Sequence, residues 1–376
     1  MEVLFWFSLG VVFYAYLGYP LTLFFLSLVV RQNKRGHREE GVGPLPRVSL
    51  LISAYNEERV IEKKLHNALA ADYPQESLEI IVVSDGSNDK TIEIASRFAD
   101  RGVSLLHYEG RIGKTACLNR AVPAASGEIV VFSDANSLYD QRAVAEMVKH
   151  FSNTAIGFVT GHTRYQGSRK EGVGESIGLY ARVERMMKKL ESVVGSVVGA
   201  DGAIFAIRKH LYEPLRDVDI NDFVIPLNVV RKGYRGILEE KAFCTEEAGK
   251  TAGQEFSRQA RITNRTIRAI VHNRDMLDFS KHGIFAFELL SHKVVRFLVP
   301  FFLLSLLVSN ALLLWKGLGY AAFFACQIAG YGLPLFVHTR FTLVAKTFIV
   351  ANAAVAWGWI KFLAGDTYTS WTTTRS

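Results

Sequence analysis

At 376 residues, 49% of them hydrophobic and with a formal net charge of +8, the chain is long enough for one large domain or two ordinary ones. Its three cysteines, Cys117, Cys244 and Cys326, are too scattered for a disulfide framework or a cysteine metal site and fit a reducing compartment. No nucleic-acid motif accompanies the positive charge. Much of that charge flanks apolar segments, so membrane lipids and not nucleic acid are the expected partner.

Residues 3–30 contain no Asp, Glu, Lys, Arg or His. About 20 apolar residues suffice to cross a bilayer core, so residues 1–30 are predicted to form a transmembrane helix. A cleaved signal would have a basic start and a shorter apolar centre, whereas here Glu2 precedes a longer run. Arg31, Lys34, Arg35 and Arg38 follow at once, and such basic flanks favour the cytoplasmic side. A multi-pass protein of the cytoplasmic (inner) membrane is expected, its central domain facing the cytoplasm.

Residues 47–278 are of mixed polarity and suit one α/β domain. Short apolar runs at 48–53, 78–84, 103–107 and 128–133 alternate with helical periodicity at 60–71, 91–99 and 115–121. That alternation predicts a mostly parallel, Rossmann-like sheet covered on both faces. Ligands collect at the carboxyl ends of such strands, where Glu57, Asp85, Asp134 and Asn136 fall.

Each motif has a plain reading beside a chemical one. Gly110-Arg-Ile-Gly113-Lys114-Thr115 has two residues between its glycines where an ATPase phosphate loop needs four, so Lys114 is either near a phosphate or on the surface. Asp134 and Asn136 are either turn residues or oxygen ligands for Mg²⁺ or Mn²⁺ on a diphosphate. In Asp85-Gly-Ser-Asn-Asp89 helix capping accounts for Ser87 or Asn88 but not for Asp85. Asp222 is a carboxylate favoured at a helix start or a general base. Arg258, Arg261, Arg265 and Arg268 are spaced along one helix face; the first two would meet a diphosphate leaving group, and a solvated or lipid-facing role is expected for Arg265 and Arg268.

Towards the C-terminus, residues 281–296 mix apolar and basic positions and read as an amphipathic helix lying in the membrane interface. The runs 297–315, 317–336 and 341–360, the last interrupted by Lys346, read as transmembrane helices filling residues 297–363.

In order along the chain, Ala54-Tyr-Asn-Glu-Glu58, Asp85-Gly-Ser-Asn-Asp89, Gly113-Lys114 with Leu118-Asn119, Asp134-Ala-Asn136, Gly199-Ala-Asp-Gly-Ala203 with Arg208, Asn221-Asp222 and Arg258 with Arg261 resemble the motifs of membrane-bound family-two glycosyltransferases. The resemblance implies a GT-A type fold and inverting transfer from a nucleotide-sugar (UDP- or GDP-linked) to a lipid-linked or polysaccharide acceptor. Glu57 and Asp85 would lie near the nucleoside, Asp134 at the diphosphate metal and Asp222 at the acceptor hydroxyl as base. Asp201 and Gly202 would line the acceptor side.

Three departures stand out. Asn136 replaces the second carboxylate of Asp-x-Asp, Asn221 precedes Asp222 where the family has a second acid, and no Gln-x-x-Arg-Trp motif of processive synthases is present. A single-addition enzyme is therefore expected ahead of a processive polysaccharide synthase. A catalytically inert scaffold of a polysaccharide assembly complex is the alternative of another class.

Overall fold

A computed structural model of the chain describes residues 1–33, 45–166, 173–247, 252–337 and 339–368. Helix α1 (Glu2–Phe13) passes through a π-helical turn at Tyr14–Gly18 into α2 (Tyr19–Asn33). Lys34, Arg35 and Arg38, on which the expected orientation rests, lie outside the described residues.

The central part of the molecule is built on strands β1 (Val48–Ala54), β2 (Leu78–Asp85), β3 (Val103–Tyr108), β4 (Ile129–Asp134), β5 (Leu138–Tyr139), β6 (Ile156–Gln166), β7 (Ile204–Arg208) and β8 (Arg235–Glu247). Between them run α3 (Ile61–Leu69), α4 (Thr91–Ser96), α5 (Lys114–Ala124), α6 (Ala143–Val148), α7 (Val173–Val194) and α8 (Asn221–Arg231). After β8 come α9 (Ala252–His272), α10 (Phe279–Leu289), α11 (Arg296–Leu312), α12 (Leu318–Phe336) and α13 (Arg340–Leu363).

The eight strands form one sheet in the order β3-β2-β1-β4-β7-β6-β8-β5. All seven residues of β1 are buried, as suits a strand with parallel neighbours on both sides and helices on both faces. Side chains alternate between the faces. Leu50, Ile52, Ile80 and Val82 pack against Ile61 and Leu65 of α3 and Met147 of α6, while Leu51, Ile81 and Val83 pack with Leu118 of α5 and Leu227 of α8.

The half β3-β2-β1-β4 is parallel, as expected. Beyond it the sheet is mixed: β7 runs antiparallel to both β4 and β6, β8 runs parallel to β6, and β5 runs antiparallel to β8. Register places the acids of the parallel half together. Ala54 pairs with Ser84 and Ser53 with Asp134, so Asp85 and Asp134 leave the sheet at the same edge as the loop after β1.

Among the described residues three helices are long and apolar enough to cross a membrane, Glu2–Val30, Phe279–Leu312 and Thr342–Leu363. Residues 281–296, expected as a separate interfacial helix, instead belong to the second of these. Helix α10 is kinked at Gly283 (φ +49°), and beyond the kink the chain passes through a π-helical stretch at Leu290–Val295 into α11 without a further break. Its polar side chains are taken up by α7: His292 Nδ1 stands 2.5 Å from Glu191 Oε1, His292 Nε2 3.1 Å from Glu184 Oε1, and Arg296 Nη1 3.0 Å from Glu184 Oε2. The Tyr19 hydroxyl of α2 donates to the same Glu191 oxygen at 2.8 Å. A buried polar knot thereby joins the first of these apolar helices, α7 and the second. At the other end α13 packs on α9 so closely that a Cβ on Gly358 would stand 2.8 Å from Thr263 Cβ.

Candidate functional site

The loops after β1 and β2 are stitched together before they meet any ligand. Asn56 Nδ2 donates to Asn88 Oδ1 at 2.7 Å, and the Asn88 N–H donates to Asn56 Oδ1 at 2.9 Å. The Glu57 N–H donates to Thr91 Oγ1 at 2.8 Å, which fixes Glu57 beside the start of α4. Asp85 is 2% exposed; its Oδ1 accepts the Gly113 N–H at 2.9 Å, while its buried Oδ2 has no hydrogen-bond partner among the described residues. A buried carboxylate oxygen without a donor is costly to leave so, and it marks a place where an N–H from outside the chain fits. Gly86 lets the loop 110–113 approach, since a Cβ at φ +67° would stand 2.2 Å from the Gly110 carbonyl oxygen.

Asp134 ends β4 half-exposed, and Lys114 Nζ, from the first turn of α5, lies 2.5 Å from its Oδ1. Asn136 is half-buried two residues on. The loop between them and β5 is anchored from behind: Lys64 Nζ donates to the Ser137 carbonyl at 2.5 Å, and the Ser137 hydroxyl donates to Glu246. Among the described residues no group of three or more His, Cys, Asp or Glu side chains is placed to hold a metal ion. One carboxylate and one amide oxygen fit a metal that brings its remaining ligands as donor phosphates and water, the habit of Mg²⁺ in phosphate sites.

Asp222 lies in the first turn of α8 and lines a cavity of about 360 Å³. Its Oδ1 is buried without a hydrogen-bond partner among the described residues, and burial holds the carboxyl above the usual carboxylate range. Lys114, Lys188 and Arg265 pull the other way, while Asp201 adds to the rise. Both Asp201 and Gly202 line the same cavity. The Asp201 carboxylate is already engaged, accepting from the Thr163 N–H at 2.9 Å, the Thr163 hydroxyl at 3.0 Å and the Ala203 N–H at 3.2 Å. It shapes the loop from Gly199 to Ala203, whose Ala200 N–H donates to the Asp222 carbonyl at 2.8 Å and whose Gly202 lies against the Asp222 carboxylate.

Helix α9 carries the arginines. Arg258 lines the cavity and makes a two-pronged contact with Glu255, both bonds 2.8 Å. Arg261 is held below the usual guanidinium range by burial and by Arg258. Arg265 and Arg268, expected as solvated or lipid-facing, are half-buried and hydrogen-bonded to the backbone of other elements. Arg265 donates to the carbonyls of Val218 and Asp219, just before α8, and Arg268 donates to the Asp366 carbonyl at 2.6 Å beyond the end of α13. The carbonyls they satisfy lie roughly 50 and 100 positions away in the chain, at separations of 46 and 98 residues, which helical spacing alone does not reveal.

With the acids and arginines so placed, the chain compares directly with known proteins. Residues 49–216 match the family described as glycosyl transferase family 2, a stretch that takes in every site position discussed from Glu57 to Gly202. The chain carries a glycosyltransferase family 2 domain. Poly-beta-1,6-N-acetyl-D-glucosamine synthase of Staphylococcus aureus is 26% identical over 245 residues, 63% of this chain and 59% of that protein. The synthase of the same name from Staphylococcus epidermidis is 27% identical over 221 residues, 57% of this chain and 53% of its own. The match thus spans less than two thirds of these relatives. A mannosyltransferase from Pyrobaculum calidifontis, solved with GDP-mannose and Mn²⁺, superposes with a TM-score of 0.74 at 23% identity over 96% of this chain and 99% of that one. That likeness shows a shared GT-A type fold.

The family 2 domain also holds a candidate that its motifs leave out. The Arg111 guanidinium lies 3.9 Å from the centre of the Tyr55 ring, and its Nε and Nη2 are buried without a hydrogen-bond partner among the described residues. Two idle donors beside Asp85 and Lys114 suit an anion or a base carbonyl. The position within Gly110-Arg-Ile-Gly113 was the only sequence signal for it.

Proposed function

We propose that the protein is an inverting glycosyltransferase that moves one sugar from a UDP- or GDP-sugar to a hydroxyl of a lipid-linked or polysaccharide acceptor at the cytoplasmic face of the inner membrane. Residues 47–278 would act as the catalytic unit. The observation that carries this reading is Asp222, a carboxylate of raised proton affinity with a bare buried oxygen in the lining of a cavity. Such a group accepts the acceptor's hydroxyl proton as the oxygen attacks the anomeric carbon. The bond to the diphosphate breaks on the opposite face, so the configuration inverts.

The unpartnered oxygen of Asp85 would take an N–H of the nucleobase, with Glu57 beside it, and Lys114, Arg258 and Arg261 would meet the negative charge of the departing nucleotide. Asp134 and Asn136 would hold a Mg²⁺ or Mn²⁺ ion, whose chemistry when bound is to offset charge on the diphosphate. Asp201 and Gly202 would keep the acceptor wall in place against Asp222.

The test is release and transfer of sugar by detergent-purified protein, screened across UDP- and GDP-sugars with Mg²⁺ and with Mn²⁺, with and without a lipid extract. Metal-dependent turnover of one donor that rises with the extract supports the reading; no turnover and no nucleotide binding would leave the inert scaffold. A second reading, a processive synthase, is favoured by the name of the staphylococcal relatives. It predicts long polymer from a single donor without added extract.

A further inference from the structure

Strand β6 lies between β7 and β8, and its residues 156–163 are all buried. A strand enclosed in this way calls for side chains that are apolar or fully hydrogen-bonded. Phe158 and Val159 are of the first kind. Thr160 and Thr163 are of the second: the Thr160 hydroxyl accepts the Asp201 N–H at 2.8 Å, and the Thr163 hydroxyl donates to Asp201 at 3.0 Å. His162 is neither. It is 7% exposed, and its Nδ1 is buried without a hydrogen-bond partner among the described residues. The pairing of β6 with β8 jumps here, from Thr160 beside Leu238 to His162 beside Phe243, a break in register of the kind that re-aims side chains beside active sites. His162 lines the same cavity as Asp222, Asp201 and Gly202.

Its neighbours decide which ring nitrogen carries the proton. Arg164 Nε donates to His162 Nε2 at 3.3 Å, and a guanidinium has donors only, so Nε2 is the bare nitrogen and Nδ1 the N–H. Phe243 supports that arginine, its ring centre 3.4 Å from the guanidinium. A second proton is resisted: burial first, then Arg185 of α7 and Arg164, pull the imidazole down to about 4, while Asp201 and Glu240 of β8 act in the other direction. The ring is therefore a neutral donor across the physiological range. The Asp201 carboxylate does not take this N–H, being engaged by Thr163 and Ala203.

Resting on the transfer reading above, we propose that His162, outside the motifs read from the sequence, is an acceptor-binding residue whose Nδ1–H donates to an oxygen of the acceptor sugar. A cationic group in its place would meet Arg164 and Arg185, and a carbon–hydrogen position would leave the N–H buried and unpaired. What fits is an oxygen that accepts, a sugar hydroxyl or an acyl carbonyl. Asp222 and His162 then divide the work by chemistry: the carboxylate takes a proton from the attacking hydroxyl, and the imidazole holds a second oxygen of the same sugar without exchanging a proton.

The experiment uses the full-length protein in detergent, the donor nucleotide-sugar with Mn²⁺, and a membrane lipid extract as acceptor. Asparagine places an amide N–H where Nδ1–H stands, glutamine places one at Nε2, and phenylalanine keeps a ring with neither. Transfer, read as kcat/KM for the extract, is expected to fall by about tenfold or more in His162→Phe and His162→Gln, with most of the loss recovered in His162→Asn. Donor affinity, measured by isothermal titration calorimetry, is expected to stay at the wild-type value in all three. Nitrogen-15 NMR of histidine-labelled protein, with the His162 signals identified by their loss in His162→Asn, is expected to show a neutral imidazole protonated at Nδ1. Undiminished transfer in His162→Phe overturns the proposal, as does an imidazole protonated at Nε2. Equal impairment of His162→Asn and His162→Gln would show a packing role, and weakened donor affinity would show that the N–H reads the donor; either result also overturns it. The comparison of His162→Asn with His162→Gln stands even where His162→Phe fails to fold. Wild-type protein that transfers sugar while the His162 variants match it refutes this inference alone, whereas wild-type protein that binds no nucleotide and transfers nothing refutes the transferase reading beneath it.

Discussion

The backbone of Gly202 lies against the carboxylate of Asp222: a Cβ at residue 202 would stand 2.6 Å from Asp222 Oδ2 and 3.2 Å from its Cγ. The glycine is therefore a spatial requirement of the carboxylate's position, not of a left-handed backbone. Gly202→Ala is expected to push the carboxylate aside and lower kcat by roughly 10²-fold, the scale of a displacement near 1 Å in a positioned group. Nucleotide binding, measured by isothermal titration calorimetry, should stay intact. Wild-type kcat in Gly202→Ala would show that the carboxylate's position is not critical.

Asp222→Asn keeps the shape and removes the proton acceptor. Transfer should fall by about 10²- to 10⁴-fold with the unfolding midpoint nearly unchanged. Because burial holds the Asp222 carboxyl above the ordinary range, the acid limb of kcat/KM in the wild type should lie above an ordinary aspartate's value. Activity is lost as pH falls through that limb, since only the deprotonated form accepts a proton. A profile flat down to pH 4 would remove Asp222 from the base role.

The loop after β4 offers one carboxylate, Asp134, and one amide, Asn136, to the metal proposed above. Restoring the second carboxylate with Asn136→Asp adds charge next to a divalent cation, so half-saturating Mn²⁺ for activity should drop by about tenfold. Asp134→Ala should abolish metal dependence along with activity. If Asn136→Asp leaves the Mn²⁺ titration where it was, Asn136 does not face the metal.

Lys64 is fully buried behind that loop, its ammonium 4.0 Å from the centre of the Tyr139 ring, and burial pulls it down to about 7. An unfolded lysine titrates near ~10.4. Between those pH values the unfolded chain binds a proton that the folded chain has released, so stability rises with pH across the window and is insensitive to this group below it. The unfolding midpoint of wild type relative to Lys64→Met should therefore climb from pH 7 to pH 10. A difference that stays constant over that range would contradict the depressed lysine.

The parallel half of the sheet was legible because each strand is a closed apolar run followed by a polar loop and a helix, and the edge carrying Asp85 and Asp134 came with it. The mixed half was not. Strand β8 alternates poorly in burial, and its pairing with β6 shifts register between Ile156 and Phe158 and again between Thr160 and His162. Such pairings are decided by distant neighbours rather than by local pattern. The same limit explains Arg265 and Arg268, whose carbonyl partners are remote in the chain, and residues 281–296, whose polar face is matched by acids on α7. Asp222 itself was visible as an acid at a helix start, but its bare oxygen and its glycine neighbour belong to three dimensions only.

The knot of Tyr19, Glu191 and His292 changes what the first helix is. Tyr19 and Leu23 are completely buried, and with Met187 of α7 they form a small core of their own. Glu191 in turn accepts the Val198 N–H at 3.3 Å, one residue before the loop from Gly199 to Ala203 begins. The helix is thus not an interchangeable leash. A chimera carrying an unrelated span of equal hydropathy would leave a buried acid short of its phenol and the loop from Gly199 to Ala203 on an unsupported hinge. Grafting this domain onto another anchor is a problem of side-chain register, and shaving the anchor off to gain solubility would remove part of the foundation of the site.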